Sequence, residues 1–362
     1  MGSRNASGSG RLPRVWVLFG KGTGGNGQML SLAEALGWPY EIKQLHHNRL
    51  NGLPNLLLGA TRLTLDRKKS SPLEPPWPDL VIAASRRSAP VAQWIKKQSG
   101  GRTRLVHLLH TQAPLGRFDL IVTMPQFRLP ERDNILHVTG VLNRIDPAAL
   151  AQAGAAWQPR LSHLPRPWTA LLVGGNSSAY LLDRDTAVRL GREAARMAAA
   201  RGGSLLVTTS PRTPPDAADA LAAAVDAPSH VYKWKKDDDA NNPYKGFLAL
   251  ADDFVVTIDS ASLLVEASAT GRPVAVFDWP RRGHAAAATA SAAPSWLWRK
   301  AVDLGLFKPA RDFDAYFAEM RRRGLAHRFG EPAPGKRQPL DDLERTVARV
   351  RGLFDLPPET GQ

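Results

Sequence analysis

The chain has 362 residues, 43% of them hydrophobic and none of them cysteine, which supplies core material for two α/β domains and excludes disulfides, thiolate metal sites and a cysteine nucleophile. No apolar run reaches the roughly 18 residues of a membrane span, and the Gly/Ser-rich opening from Met1 to Gly10 has neither the apolar stretch of a secretory signal nor, with Ala6 where Ser or Thr is required, a myristoylation pattern. Residues 1–168 hold 22 Lys and Arg against 9 Asp and Glu while residues 169–362 hold 26 against 24, so the net charge of +15 lies almost wholly in the N-terminal half. Such a face either attracts phosphates and anionic lipid or only keeps the protein soluble.

Residues 1–13 read as a disordered tail on a cytoplasmic protein. The apolar run 14–19 then leads into the Gly-rich turn Gly20 to Gly27 and a helical pattern from Gln28 to Leu36, stopped by Gly37. Buried-strand runs follow at 80–84, 104–109 and 120–124. The stretch Asp146 to Pro167 carries four prolines and reads as a connector. The pattern then restarts with a run at 168–173, the turn Gly174-Gly175-Asn176-Ser177-Ser178 and a helix from Asp185 to Ala200 closed by Gly202 and Gly203. Pro211 to Pro215 reads as a loop, runs at 204–208, 254–258 and 274–277 as strands, and 340–356 as an amphipathic helix. Strand, Gly-rich turn and helix open a βαβ unit. Their repetition predicts an α/β protein of two doubly wound Rossmann-like domains: 14–150, a linker 151–167, 168–339, and a C-terminal segment 340–362.

Ligands of such sheets gather at the strand ends. Gly24, Gly25 and Asn26 lie at the first; this is not the dinucleotide fingerprint, because no acidic residue closes a strand about 20 residues later. The turn is either a tight corner needing small residues or a cradle of bare N–H groups for an anionic or hydroxyl-rich ligand. Arg86 and Arg87, just after 80–84, are candidates for an anionic acceptor. In the second half Gly174, Gly175, Asn176 and Ser177 offer a similar cradle, and Ser210 and Arg212 follow another strand end, with Arg212 suited to a phosphate. The strongest constellation starts at Asp259: Ser260 as helix cap, Ser262 in the first turn and Glu266 two turns in, among small apolar residues. The helix start suits a diphosphate. The acid requires a partner there, either Arg272 or the vicinal hydroxyls of a ribose. Asp237-Asp238-Asp239, set among lysines, reads as a solvated loop and not a metal site. Arg49 to Lys69 mixes leucines with cations and is either a core helix with a basic edge or a membrane-facing stretch.

The small-residue helix start, Glu266 and Thr270-Gly271-Arg272-Pro273-Val274 resemble the donor-binding segment of GT-B glycosyltransferases, above all the enzyme that adds N-acetylglucosamine to the peptidoglycan lipid intermediate. Gly22 to Gly25, Val138 to Arg144 and Gly174 to Ser177 resemble that enzyme's two Gly-rich loops and the segment leading into its hinge. Gly24 to Gln28 with Leu32 to Gly37, Thr209 to Pro214 and Asn242 to Asp252 resemble the mitochondrial-fission "elongated mitochondria" family, over roughly residues 14–330. The Ala-, Arg- and Gly-rich composition is that of a GC-rich bacterial genome, so the family's name transfers no function by itself.

These resemblances imply a GT-B-like fold with a cleft between the domains and a last helix crossing back to the N-domain. They also imply a nucleotide-diphosphate sugar as substrate, no separate cofactor and no metal. The peptidoglycan enzyme has a His after its first loop where this chain has Asn26, and an amide cannot serve as a general base; His107, His110, Asp119 and Glu131 are the substitutes. The expected activity is metal-independent sugar transfer from a nucleotide-sugar to a membrane-associated acceptor. The alternative is a non-catalytic scaffold that recruits partners to a membrane surface, peripheral to the inner membrane. A nucleic-acid partner is not expected, nor is a sugar-nucleotide epimerase, which needs NAD and a Tyr-x-x-x-Lys pair.

Overall fold

The computed structural model describes residues 11–142, 146–177, 179–279, 296–306 and 312–354. Most of the expected tail, Asn143 and Arg144, Ser178 and the end of the last expected helix lie outside them.

Among the described residues the strands form two six-stranded sheets, both wholly parallel. The first contains β1 (Val15–Phe19), β2 (Tyr40–Gln44), β3 (Leu80–Ala84), β4 (Arg104–Leu108), β5 (Leu120–Thr123) and β6 (Ile135–His137), in the order β2-β1-β3-β4-β5-β6. The second contains β7 (Trp168–Leu172), β8 (Ser204–Thr208), β9 (Ser229–Tyr232), β10 (Asp253–Thr257), β11 (Val274–Phe277) and β12 (His327–Arg328), in the order β12-β11-β10-β7-β8-β9. Two doubly wound α/β units are therefore observed. Their central strands, such as β3 and β7, are buried from end to end, which is why continuous apolar runs mark them in the sequence.

The helices follow from local chemistry. α1 (Thr23–Leu36) ends at Gly37, whose φ of 67° is the left-handed stop that a glycine adopts at no steric cost. After α2 (Asn55–Leu58) and α3 (Ser85–Gln98) comes α4 (Pro147–Leu161), a helix that occupies most of the stretch expected as the connector. Pro147 occupies the first helical position, where its missing N–H costs nothing, and Asp146 caps the helix through Ala148 N at 2.9 Å. Trp157 of α4 packs on Gly246 and stands edge-on to Phe247, both in α7 (Tyr244–Leu250); a Cβ on Gly246 would lie 2.5 Å from the indole. α5 (Arg184–Ala200) is capped by Asp183, α6 (Pro215–Ala223) starts on a proline, and α8 (Ala261–Ala269) follows β10.

The two sheets meet around residues 138–142. The N–H groups of Thr139 and Gly140 both donate to Asp342 Oδ2, each at 2.9 Å, and Arg323 donates to the Thr139 hydroxyl. Leu142 N donates to Gln28 of α1 at 3.3 Å. On the other side Gly140 abuts α8: a Cβ there would lie 2.3 Å from Val265 Cγ2. Asp342 opens the helix Asp342–Gly352, which lies on the N-terminal unit through Arg345 to the His137 carbonyl, Arg351 to the Leu36 carbonyl and Phe354 edge-on to Trp38. Asp342 is buried and 3.8 Å from Arg323, so Asp342→Ala leaves two backbone donors without their acceptor and Arg323 with one ion-pair partner fewer. We expect it to lower unfolding free energy by about 3 kcal/mol, read from urea midpoints, with Asp342→Asn milder.

Candidate functional site

In each sheet the chain changes direction between two adjacent strands, and the crevice outside their C-terminal ends is the natural place for a ligand. In the first sheet that point lies between β1 and β3, and a cavity of about 400 Å³ opens there. Gly25 and Asn26, Lys21, Arg86 and Arg87, and His47 and His110 line it. Its backbone is strained: Ser85 (φ 72°), Leu109 (φ 71°) and Gln112 (φ 47°) are left-handed without being glycine. Such conformations cost about 1–3 kcal/mol each and cluster where a site is pre-organised. His107 stands beneath Ser85, its Nε2 3.1 Å from the Ser85 carbonyl; burial pushes its pKa down to about 4, so the ring is neutral.

Several expected roles change at this cavity. The Asn26 amide is fully engaged with one residue, Oδ1 accepting from Gly20 N (3.1 Å) and Nδ2 donating to Gly20 O (2.8 Å). It fixes the turn and takes no part in proton transfer. Arg86 donates to the carbonyls of Leu53 and Asn51 and so anchors a loop, while it lines the cavity wall beside Arg87. Among the substitute bases, His107 is buried, Asp119 is held by Lys96 (2.6 Å) and Arg104 (3.2 Å), and the exposed Glu131 lies 3.5 Å from His137. His110 alone of the four lines the cavity. His47, whose pKa is lowered by burial and by the charge of Arg87, lines it too and carried no sequence signal.

In the second sheet the crossover point lies between β7 and β10. There Gly174 N donates to Thr257 Oγ1 (2.7 Å) and Gly175 N to Asp259 Oδ2 (3.0 Å). Both glycines are sterically required. A Cβ on Gly174 would lie 2.3 Å from Asp259 Oδ2, and one on Gly175, at φ 135°, 2.2 Å from the Arg212 carbonyl. Asp259 is buried and pairs with Arg212 at 2.8 Å; burial raises its pKa, and Arg212 opposes that rise. The guanidinium expected to wait for a phosphate is therefore already bound to a carboxylate. Asn176 Oδ1 accepts from Leu182 N and Ser177 Oγ from Tyr180 N, bracing their own loop, and Ser210 Oγ donates across to the Gly174 carbonyl.

Ser260 occupies the N-cap of α8, but its hydroxyl makes no cap bond. Ser262 and Glu266, four residues apart, share a half-buried face of α8. Tyr244 donates its hydroxyl to Glu266 Oε2 at 2.5 Å, whereas Arg272, the alternative partner weighed for this acid, donates to the carbonyls of Leu248 and Ala249. Tyr232 and Lys236 do have Tyr-x-x-x-Lys spacing, contrary to expectation, but Tyr232 ends the edge strand β9 and donates to Asp238. Among the described residues no group of three or more His, Asp or Glu could hold a metal ion.

Two doubly wound units whose strand ends flank one wedge of backbone define a GT-B-like α/β protein. The model of the mitochondrial fission ELM1 family matches residues 23–292, and the chain belongs to that family. Mitochondrial fission protein ELM1 of Arabidopsis thaliana is 31% identical over 221 residues, 55% of this chain and 51% of that protein, so the chain spans about half that relative's length. An uncharacterised protein of Rickettsia prowazekii (strain Madrid E) is 26% identical over 295 residues, 73% of this chain and 82% of its own. Solved structures of similar fold include S. aureus MnaA with UDP (11% identity, TM-score 0.49, covering 97% of this chain and 99% of that one). Another is the UDP-GlcNAc 2-epimerase of Methanocaldococcus jannaschii (12% identity, TM-score 0.48, covering 94% and 99%).

The Arg212–Asp259 pair makes a pH-dependent expectation. Removing Arg212 raises the folded-state pKa of Asp259 still further above its unfolded value, so the penalty is absent in acid, where the carboxyl is neutral, and grows as pH rises through that pKa. Arg212→Ala should cost about 2 kcal/mol at neutral pH and much less in acid, seen as a gap in urea midpoints that widens with pH.

Proposed function

We propose that this protein binds a nucleoside diphosphate sugar at the C-terminal ends of β7 and β10 and delivers the sugar to an acceptor in the N-terminal cavity. The observation that supports this most is Glu266: an acid on the half-buried face of α8, four residues past Ser262, with one oxygen held by a tyrosine. An acid at this place suits the vicinal hydroxyls of a ribose, and the first-turn N–H groups of α8 suit the diphosphate. In this reading residues 14–150 form the acceptor side, 168–339 the donor side, and 340–362 ties them together. The acceptor hydroxyl loses its proton to His47 or His110 and attacks the anomeric carbon. The electrons of the breaking C–O bond leave with the diphosphate, which the helix N-terminus stabilises. Calorimetry with UDP, GDP, ADP and their sugars tests the reading: one of them should bind the wild type, and Glu266→Ala should weaken it at least about tenfold. Failure of all of them to bind the wild type would end it.

A second reading, a scaffold at a membrane surface, has its own support. Residues 49–69 form no core helix; they are a 3₁₀ turn at Arg49–Gly52 and the single turn of α2. Arg86 and the buried Asn55, which donates to the Arg86 and Thr111 carbonyls, hold that loop in place. Yet Leu57 and Leu63 are 76% and 65% exposed, beside the exposed cations Arg49, Arg67, Lys68 and Lys69. No helix among the described residues is long and apolar enough to cross a membrane, so contact would be peripheral, leucines in the acyl boundary and cations on anionic headgroups. Co-sedimentation with phosphatidylglycerol vesicles should exceed that with phosphatidylcholine vesicles and fall several-fold in Leu57→Asp/Leu63→Asp; equal pelleting of the two proteins would refute this surface.

A further inference from the structure

A second hollow of the N-terminal unit, of about 560 Å³, lies between the loop at Gly59 and Ala60, the last turns of α3 and the 3₁₀ turn Leu115–Arg117. Lys96, Lys97 and Arg117 line it with Gln93, and no acid does. Lys96 is committed to Asp119 at 2.6 Å, whereas neither Lys97 nor Arg117 has an ion pair among the described residues. Gln93 is only 7% exposed, and its Oε1 accepts from Arg117 at 3.0 Å. A guanidinium only donates, so the amide turns its oxygen to Arg117 and keeps its two Nε2 donors for whatever fills the hollow. A planar guanidinium fork, an ammonium point charge and an amide donor together form a set for a tetrahedral oxyanion.

The rim identifies where that oxyanion comes from. Gly59 and Ala60 lie inside the run that carries the exposed Leu57 and Leu63. This run is firmly held: Thr61 N donates to the Pro90 carbonyl at 3.2 Å, the Arg62 guanidinium lies 4.6 Å from the Trp94 ring centre, and the buried Asn55 ties its start to the Arg86 and Thr111 carbonyls. Apolar side chains are thus fixed at one edge of a cationic hollow. A free phosphate has no use for them. A phospholipid does, because its acyl chains and its phosphate require an apolar edge and cations within one molecule's reach.

Resting on the membrane-surface reading above, we propose that Gln93, Lys97 and Arg117 form a seat for the phosphate of an anionic glycerophospholipid, so that the surface selects a headgroup and not charge alone. Co-sedimentation of the full chain with two sets of phosphatidylcholine vesicles reads this, one doped with phosphatidylglycerol and the other with cholesteryl hemisuccinate to the same zeta potential, so that the added charge is a phosphate or a carboxylate. The wild type should prefer the phosphatidylglycerol set by about tenfold, the worth of one or two hydrogen bonds to a charged group. Gln93→Leu and Arg117→Lys leave the net charge unchanged, and each should cut that preference to about twofold. If both variants keep the full preference, or the wild type has none, the seat is refuted while the leucine surface stands. If sn-glycerol 1-phosphate binds the protein in calorimetry and phosphatidylglycerol vesicles do not displace it, the hollow takes a free phosphate and the lipid assignment fails. Failure of the wild type to pellet with either set overturns the membrane reading as well.

Discussion

A buried carboxylate between two units governs the geometry of the whole molecule. Residues 138–142 leave the first sheet with backbone N–H groups that face protein instead of water, and unsatisfied donors there would cost about 1–3 kcal/mol each. Asp342, arriving from some 200 residues downstream, accepts two of them, and Arg323, 3.8 Å from the same carboxylate, donates to the Thr139 hydroxyl. With this clasp closed, Gly140 is pressed on α8 at a distance only glycine allows, and Gln28 of α1 is fixed to Leu142. The strand ends of both sheets are thereby held on the two sides of one short backbone segment.

The two strand-end regions differ in how they store their chemistry. The N-terminal one is an open, cation-lined cavity bounded by left-handed residues that are not glycine, with strain held in place by Asn26 and a neutral His107. The C-terminal one is closely satisfied: Asp259 fills the space over Gly174, Arg212 pairs with it, and the Ser210 and Thr213 hydroxyls donate across to the Gly174 carbonyl. The costly conformations thus gather at the strand ends of the N-terminal unit, where a site is pre-organised.

The central strands were legible because burial on both faces writes itself as unbroken Val, Ile, Leu and Ala. The edges were not. β2 reads Tyr-Glu-Ile-Lys-Gln, with Tyr40 and Ile42 exposed and Lys43 folded over the Trp16 ring, and β6, β9 and β12 are two to four residues long. His47 was missed for the same reason, since it follows a strand whose pattern is that of a surface. The candidate residues do lie at strand ends, as the βαβ pattern required. Their partners could not be read: Asp259 and Arg212, or Asn26 and Gly20, meet through tertiary geometry that local pattern does not encode. The helix inside 146–167 could not be read from its prolines, because a proline opening a helix and a proline in a connector look alike in one dimension.

That helix has a consequence for where the chain can be divided. Trp157 of α4 fills a groove over Gly246, beside Phe247 and His230, so α4 covers apolar surface of the second unit although it precedes that unit's first strand. A fragment cut to begin at Trp168 would leave the groove bare, an invitation to self-association, while its N-terminal counterpart would trail an amphipathic rod with nothing to cover. The autonomous boundary therefore falls upstream of Pro147, ahead of the covering helix and not behind it.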